Sequence, residues 1–473
     1  MIRRTKEDVE DKMENVIVEI SRFVILILMT VYTIYGFAVF KIKNKRKQRF
    51  YYKVQRVLLF LNHFICNLVL YMNHFNRKIL IFYLAQLAFL VGFGMLYPMV
   101  YRRISRTILN HMLMLFSISF VMLARLSFDS AWRQLVMAAI AMGIGFIVPV
   151  EMRKLTFLTK LQWIYGVVGI GVLAYVFLFG VTVYGAKNWV SIGGVLIQPS
   201  EFVKLFFVFF VAAGYAKSTE FKQVVKISAL AACHVFILVL EKDLGASLIL
   251  FLTYLTMLYV ATGKSFYLFG GLLAGSAASV AAYYLFPHVQ VRVSAWRNPW
   301  SDIANSGYQV AQSLFAIGTG GWFGMGIGKG LPNSIPVGKS DFIFSAISEE
   351  LGAIFAIWII FLYAALYILF LTISLKQKEL FYKLTAVGLS TIFMVQVFLC
   401  IGGVTKFIPS TGVTLPLISY GGSSVLSCVI IFSIMQGLYL MNQNEEGKNG
   451  KEKKKSKKNA KRARVPVIRE SED

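Results

Sequence analysis

Cysteine is scarce. Cys66, Cys233, Cys400 and Cys428 are the only four in 473 residues, and each falls inside an apolar run with no shared ligand spacing. They read as small buried hydrophobes. The five histidines are scattered, which argues against a metal site built from Cys and His. Acidic residues are outnumbered, 23 Asp and Glu against 49 Lys and Arg, leaving a net charge of +26. No cleavable signal peptide is expected, because the first apolar run is too long and lacks a small-residue cleavage site. There is no soluble-type repeat and no inverted repeat of the kind many transporters carry.

Apolar residues are abundant instead: 57% of the chain, with a mean hydropathy of +0.65. They come in blocks of about twenty, long enough to cross a hydrocarbon core of about 30 Å. The blocks lie near 21–41, 57–75, 79–98, 108–124, 135–150, 161–182, 201–216, 224–240, 246–262, 265–286, 343–373, 384–404 and 420–441. The expected fold is therefore all-α: a polytopic bundle of roughly thirteen transmembrane helices with no sizeable soluble domain.

A net charge of +26 on a soluble chain would point to nucleic acid. Here the cations gather in alternate short loops: Lys41 to Arg56, Arg102–Arg106, Arg153–Lys160, Lys217–Lys226 and Lys376–Lys383. That alternation is the positive-inside pattern. The run from Lys451 to Arg464 has no apolar periodicity and reads as a disordered cytoplasmic tail. It is suited to anionic membrane lipid. No aromatic residues interleave it, so nucleic acid is not an expected partner. With the tail inside, the N-terminus and segments 183–200, 287–341 and 405–418 face outward. We divide the chain into an N-terminal accessory segment of about three spans (1–100), a ten-span core (101–442) carrying the large loop 287–341, and the basic tail (443–473).

Within that loop, Asn305 to Ile317 places Val310, Leu314 and Phe315 on one face, as in a short helix lying at the membrane surface. Gly324, Gly326, Gly328 and Gly330 then alternate, but Walker spacing and a Ser or Thr after Lys329 are missing. A glycine loop packed closely against helices is the better reading than a phosphate cradle.

Four polar groups stand at the outer ends of apolar runs. The first is Gly185-Ala-Lys-Asn-Trp189 through Gln198-Pro-Ser-Glu-Phe-Val-Lys204. Pro199 and Glu201 suit a helix start. Glu201 and Lys204 share a face, either as a local ion pair or as a site, since a charge inside the apolar layer is costly and usually functional. In the second, Glu241-Lys-Asp-Leu-Gly245, Asp243 reads as the cap of the next helix. The third combines Asp341-Phe-Ile-Phe-Ser345 with Glu349-Glu350-Leu-Gly352. The fourth, Pro409-Ser-Thr-Gly412 through Pro416-Leu-Ile-Ser-Tyr-Gly-Gly-Ser-Ser424, suits a re-entrant turn lining a cavity.

The order of these groups, with Arg292, Trp296, Asn298-Pro-Trp300 and Gly307-Tyr-Gln309, resembles the SEDS family (shape, elongation, division, sporulation) over residues 105–442. The resemblance departs in the N-terminal hundred residues and at Ile335-Pro-Val-Gly-Lys-Ser340, where many members carry Leu-Pro-Glu. It implies a ten-span membrane glycosyltransferase at the bacterial plasma membrane that polymerises lipid II into peptidoglycan strands. The bond made is β-1,4 with inversion, and polyprenyl diphosphate is released. Inversion suits single displacement, which needs a base and help for the leaving group rather than a carboxylate nucleophile. Asp341 matches the family's essential aspartate and takes the general-base role. Lys204, Lys187 and Arg292 are candidates for offsetting diphosphate charge, Glu201 for orienting Lys204 or helping to hold a divalent cation (Mg2+ or Mn2+). Trp189 would stack on sugar or contact the prenyl chain, and Gln198, Gln312, Ser313 and Tyr420 would hydrogen-bond sugar or peptide. The implied partner is a class B penicillin-binding protein, a transpeptidase. The competing readings are a lipid II flippase and a non-catalytic scaffold for wall assembly.

Overall fold

In lipid a backbone must satisfy its own hydrogen bonds, and helices do so within one segment. The computed structural model describes residues 2–74, 76–151, 159–183 and 185–463. The first ten helices are α1 (Ile2–Lys41), α2 (Lys45–His74), α3 (Arg77–Val100), α4 (Arg106–Leu126), α5 (Phe128–Glu151), α6 (Gln162–Phe179), α7 (Ser200–Lys217), α8 (Phe221–Leu240), α9 (Leu244–Thr262) and α10 (Ser265–Leu285). The short α11 (Pro287–Arg297) and α12 (Tyr308–Gly320) follow, then α13 (Ile343–Leu375), α14 (Leu380–Val404) and α15 (Gly422–Ala463).

Among the described residues twelve helices are long and apolar enough to cross a membrane, making this a multi-pass membrane protein. The remaining long helix, α7, carries Glu201, Lys204 and Lys217 within eighteen residues. With it, each of the thirteen expected apolar blocks has its helix. Ends are set by local chemistry. Asn76, Ser105 and Asp243 cap α3, α4 and α9 by accepting from the backbone N–H of Lys78, Ile108 and Ala246. Helix α4 is the axis of the bundle, packed by α2, α3, α5 and α13, while α10 lies at the margin against α9 and α11, none of its residues buried.

The first three helices are fastened to the rest by polar contacts. Tyr32 Oη meets His111 Nδ1 at 3.0 Å and His63 Nδ1 meets Ser117 Oγ at 2.9 Å, both pairs buried. Arg22 Nη1 donates to Gly324 O at 3.0 Å and Asn73 Nδ2 to Ile327 O at 2.9 Å. The glycine loop is thus held from one side by α1 and α2.

From the other side it is held by α13. Met325 and Gly326 donate their N–H groups to Glu349 O and Glu350 O, each at 2.9 Å. Gly352 leaves helical geometry at φ 88°, ψ 163°, and Ala353 N–H turns to Gly321 O at 2.9 Å. Only glycine adopts that conformation readily.

Two expectations are corrected, and one element is new. The tail read as disordered is helical as far as Ala463, and 464–473 lie outside the described residues. Lys-rich sequence extends an existing helix well, because the costly nucleus is already formed. The surface helix of the large loop runs from Tyr308 to Gly320 and packs against α13 and α14. Its buried face carries Val310, Ala311, Ser313 and Ala316, with Phe315 exposed. Between α6 and α7 lies a small antiparallel sheet, β1 (Val181–Val183), β2 (Ala186–Ile192) and β3 (Val195–Ile197). Gly193 and Gly194, both at positive φ, make its two-residue hairpin turn.

Candidate functional site

The polar motifs converge at one end of the bundle, where α6, α8, α10 and α14 finish and α7, α9, α13 and α15 begin. Two carboxylates organise that end. Asp243 caps α9 and gathers its neighbours: Asn188 Nδ2, Gln198 Nε2 and Ser200 Oγ all donate to Asp243 Oδ2, at 2.8, 3.2 and 3.3 Å. The cap expected from sequence thereby ties the sheet and the start of α7 to α9.

Asp341 is the second. It stands two residues before α13, its carboxyl enclosed although the residue as a whole is partly exposed. A Cβ built on Gly412 would lie 3.6 Å from Asp341 Oδ2 and 3.9 Å from Arg292 Nη2, so this glycine fits between carboxylate and guanidinium. Arg292, on α11, donates from Nη1 to Ser410 O at 3.1 Å. Burial raises the Asp341 carboxyl to about 6, partly offset by a hydrogen bond from Ser340 and by Arg292. Burial lowers Arg292, opposed by the charges of Asp243 and Asp341. Glu241, at the end of α8, is raised to about 8 by burial and by Asp243, and both its oxygens are without a partner.

The loop bearing Asp341 is clamped by the 415–421 turn. Tyr420 N–H donates to Lys339 O at 2.9 Å, Ser419 Oγ donates to Ser340 O, and the Lys339 ammonium lies 5.4 Å from the Tyr420 ring centre. Four non-glycine residues have positive φ among the described residues: Lys242, Val337, Lys406 and Leu417. All sit on loops at this end. Such strain persists where surrounding contacts over-determine it, typically at functional sites.

Beneath the turn, within the bundle, Lys204 is fully surrounded. Its Nζ donates to Glu201 Oε1 and Gln396 Oε1, each at 2.9 Å, and Ser427 Oγ donates to Glu201 Oε2 at 2.7 Å. Gln396 passes the link on, donating to Thr414 O at 3.2 Å. Lys204 thus acts on the 410–424 segment through Gln396, and its ammonium has both neighbours inside the protein. A parallel arrangement secures the glycine loop. Arg125 Nε pairs with the buried Glu350 at 2.9 Å and Arg125 Nη2 donates to Gly330 O at 3.0 Å, while Leu331 N–H donates to Glu349 Oε1 at 2.9 Å.

The structure therefore brings Arg292 near Asp341, ties the backbone of Tyr420 to the loop that bears Asp341, and binds Gln198 to Asp243. Trp189 is half-buried on β2 opposite Val181, and Gln312 half-buried on α12. Two expectations change. Ser313 is wholly buried, donating to Val404 O at 2.7 Å and meeting Ser345 Oγ at 2.7 Å. Its hydroxyl joins α12 to α13 and α14 rather than facing a ligand. Lys187 Nζ donates to Leu178 O at 3.0 Å, capping the carbonyl end of α6. Sequence reasoning passed over Gln396, Arg125 and Asn188. Gln396 and Arg125 left a signal, a polar group inside or ending an apolar run.

The chain belongs to the FtsW/RodA/SpoVE family, whose model, described as a cell cycle protein, matches residues 98–444. Among its relatives is the peptidoglycan glycosyltransferase RodA of Mycobacterium tuberculosis (strain H37Rv), 40% identical over 267 residues, covering 53% of this chain and 57% of that one. Stage V sporulation protein E of Bacillus subtilis is 33% identical over 321 residues, covering 65% of this chain and 86% of the relative. The chain thus spans somewhat over half the length of the mycobacterial relative. Two solved structures share the fold. One is a chain of a peptidoglycan synthase complex that coordinates polymerization and crosslinking, with a TM-score of 0.61 at 23% identity, covering 72% of this chain and 98% of that one. The other is the rod shape determining protein RodA of Thermus thermophilus, with a TM-score of 0.50 at 22% identity, covering 71% and 96%.

Proposed function

We propose that this protein is a peptidoglycan glycosyltransferase that joins lipid II units by inverting β-1,4 transfer, with its polar end on the outer face of the bacterial plasma membrane and its basic loops and tail inside. The observation that carries the proposal is Asp341 beside Arg292 at the mouth of the bundle. A carboxyl near 6 is mostly ionised at neutral pH yet close enough to it to accept a proton effectively. In the reaction Asp341 takes the proton of the attacking sugar hydroxyl. That oxygen bonds to the anomeric carbon as the bond to diphosphate breaks, and the electron pair leaves with polyprenyl diphosphate. Arg292, anchored on Ser410 O near Asp341, offsets charge on the leaving group. Glu201 and Lys204 position the 410–424 segment through Gln396.

Among the described residues no three His, Cys, Asp or Glu side chains converge. Mg2+ is commonly held by substrate phosphates with only one or two carboxylates, and Glu241, with two unpartnered oxygens, fits that smaller share. Such an ion would neutralise diphosphate charge. A class B penicillin-binding protein is the proposed partner, supported by the likeness to a chain from a synthase that couples polymerization with crosslinking.

The test is polymerisation of lipid II by the purified protein, read as glycan chains on a gel, against Asp341→Ala. Output should fall by about 10²–10⁴, the usual worth of a general base. Equal output from the two proteins would sink the assignment.

A further inference from the structure

The accessory helices enclose a feature that the proposed reaction leaves unused. Between α2, α3 and α4, toward the basic end of the bundle and away from Asp341, lies a cavity of about 250 Å3. Leu59, Leu90, Met95 and Leu113 give it apolar walls, while Arg56 and Asn110 supply polar ones. Arg56 Nε, a buried donor, has no partner. Buried donors normally find acceptors, so an orphaned guanidinium N–H lining a cavity points to a missing acceptor.

The surroundings are cationic. Arg49 and Arg56 lie on α2 and Arg106 opens α4, which packs against it, and none of the ion pairs among the described residues involves any of the three. Glu445 and Glu446, at the same end, are already paired with Lys378 and Lys376. Arg56 in the lining of an apolar slot, with Arg49 and Arg106 on the same two helices, complements a molecule with an anionic head and a hydrocarbon tail. The volume is smaller than that of a site enclosing a whole drug-sized ligand, so it suits part of one acyl chain with the headgroup outside.

We propose that this cavity binds an anionic glycerophospholipid of the surrounding bilayer, its phosphate at Arg49, Arg56 and Arg106 and one acyl chain between α2, α3 and α4. Two of these helices belong to the accessory segment and α4 to the core. The lipid therefore acts as a bridge between them, next to the buried Tyr32–His111 contact.

The experiment uses the full-length protein purified in neutral detergent. Native mass spectrometry follows retention of phosphatidylglycerol, phosphatidylcholine and undecaprenyl phosphate, and thermal unfolding is followed with each. Phosphatidylglycerol should be retained preferentially and raise Tm by mass action. Arg56→Gln should weaken its retention about fivefold, the usual effect of one cation near an anionic lipid. Gly94→Leu should abolish the preference by filling the slot, where a Cβ meets only Leu113 Cδ1 at 3.4 Å. Lys222→Gln, on the distant start of α8, should change nothing. The proposal fails if Gly94→Leu retains phosphatidylglycerol as the wild type does, or if Lys222→Gln loses as much as Arg56→Gln. It fails equally if undecaprenyl phosphate displaces phosphatidylglycerol, which would make the cavity a site for the prenyl carrier.

Discussion

Lys204 donates to Gln396 Oε1 at 2.9 Å although 192 residues separate them, so a buried ammonium on α7 holds an amide on α14. The same ammonium is paired with Glu201 at 2.9 Å, and both side chains are nearly inaccessible. Removing one member of such a pair leaves an uncompensated buried charge. Lys204→Met should destabilise by about 3–5 kcal/mol, read as a fall in Tm in detergent. The double variant Glu201→Met/Lys204→Met should regain most of that Tm. If Glu201 and Lys204 only position the 410–424 segment, part of the polymerisation activity should return with it. A stable double variant with no activity at all would show that the pair contacts substrate.

The protonation of Asp341 sets a pH dependence. With its carboxyl raised to about 6, the ionised base is lost as pH falls through that value. The polymerisation rate should drop about tenfold per pH unit below it. The stability effect has the opposite sense. A carboxyl raised above its unfolded value binds protons more readily in the native state, so its contribution is present below about 4 and is lost as pH rises toward 6. Asp341→Asn should accordingly raise Tm more at pH 8 than at pH 4 while abolishing activity. A flat rate profile between pH 5 and 7 would contradict the assignment.

Arg125 is the counter-charge of Glu350, whose side chain is completely buried. Arg125→Ala should cost about 3–5 kcal/mol and free the Gly330 carbonyl. Limited proteolysis should then cut between 318 and 331 faster than in the wild type. Unchanged cleavage together with an unchanged Tm would remove Arg125 from its assigned role.

Arg22 and Asn73 pin the carbonyls of Gly324 and Ile327. Replacing both by Ala should speed amide hydrogen exchange in 321–331 by about tenfold, the effect of losing one to two net hydrogen bonds. Exchange in α14 should be unaltered. If only the first hundred residues exchange faster, the accessory helices do not support the loop.

Much of the architecture was readable in the order of residues. A hydrocarbon layer demands about twenty apolar residues per helix, and that demand marks every long helix, including α7 with its three charges. Helix-entry chemistry was equally local. Asp243 caps α9 because a short carboxylate after one apolar run can reach the first free N–H groups of the next. Gly193-Gly194 between two β-branched stretches is a hairpin signal of the same local kind, and the sequence reading passed over it. The tail was misread because composition reports the absence of a core, while a helix leaving the membrane can simply continue.

What the sequence determined by itself is thus the set of spans and the placing of polar motifs at helix ends, since both follow from the thickness of lipid and the unsatisfied groups of helix termini. Only the tertiary structure decided partnership. Arg292 meets Asp341 across Gly412, Lys204 meets Gln396, Arg125 meets Glu350, and Ser313 turns into the bundle instead of toward a ligand. These pairings depend on how helices distant in sequence rotate and cross, and the periodicity of one helix carries no information about the face its neighbour presents.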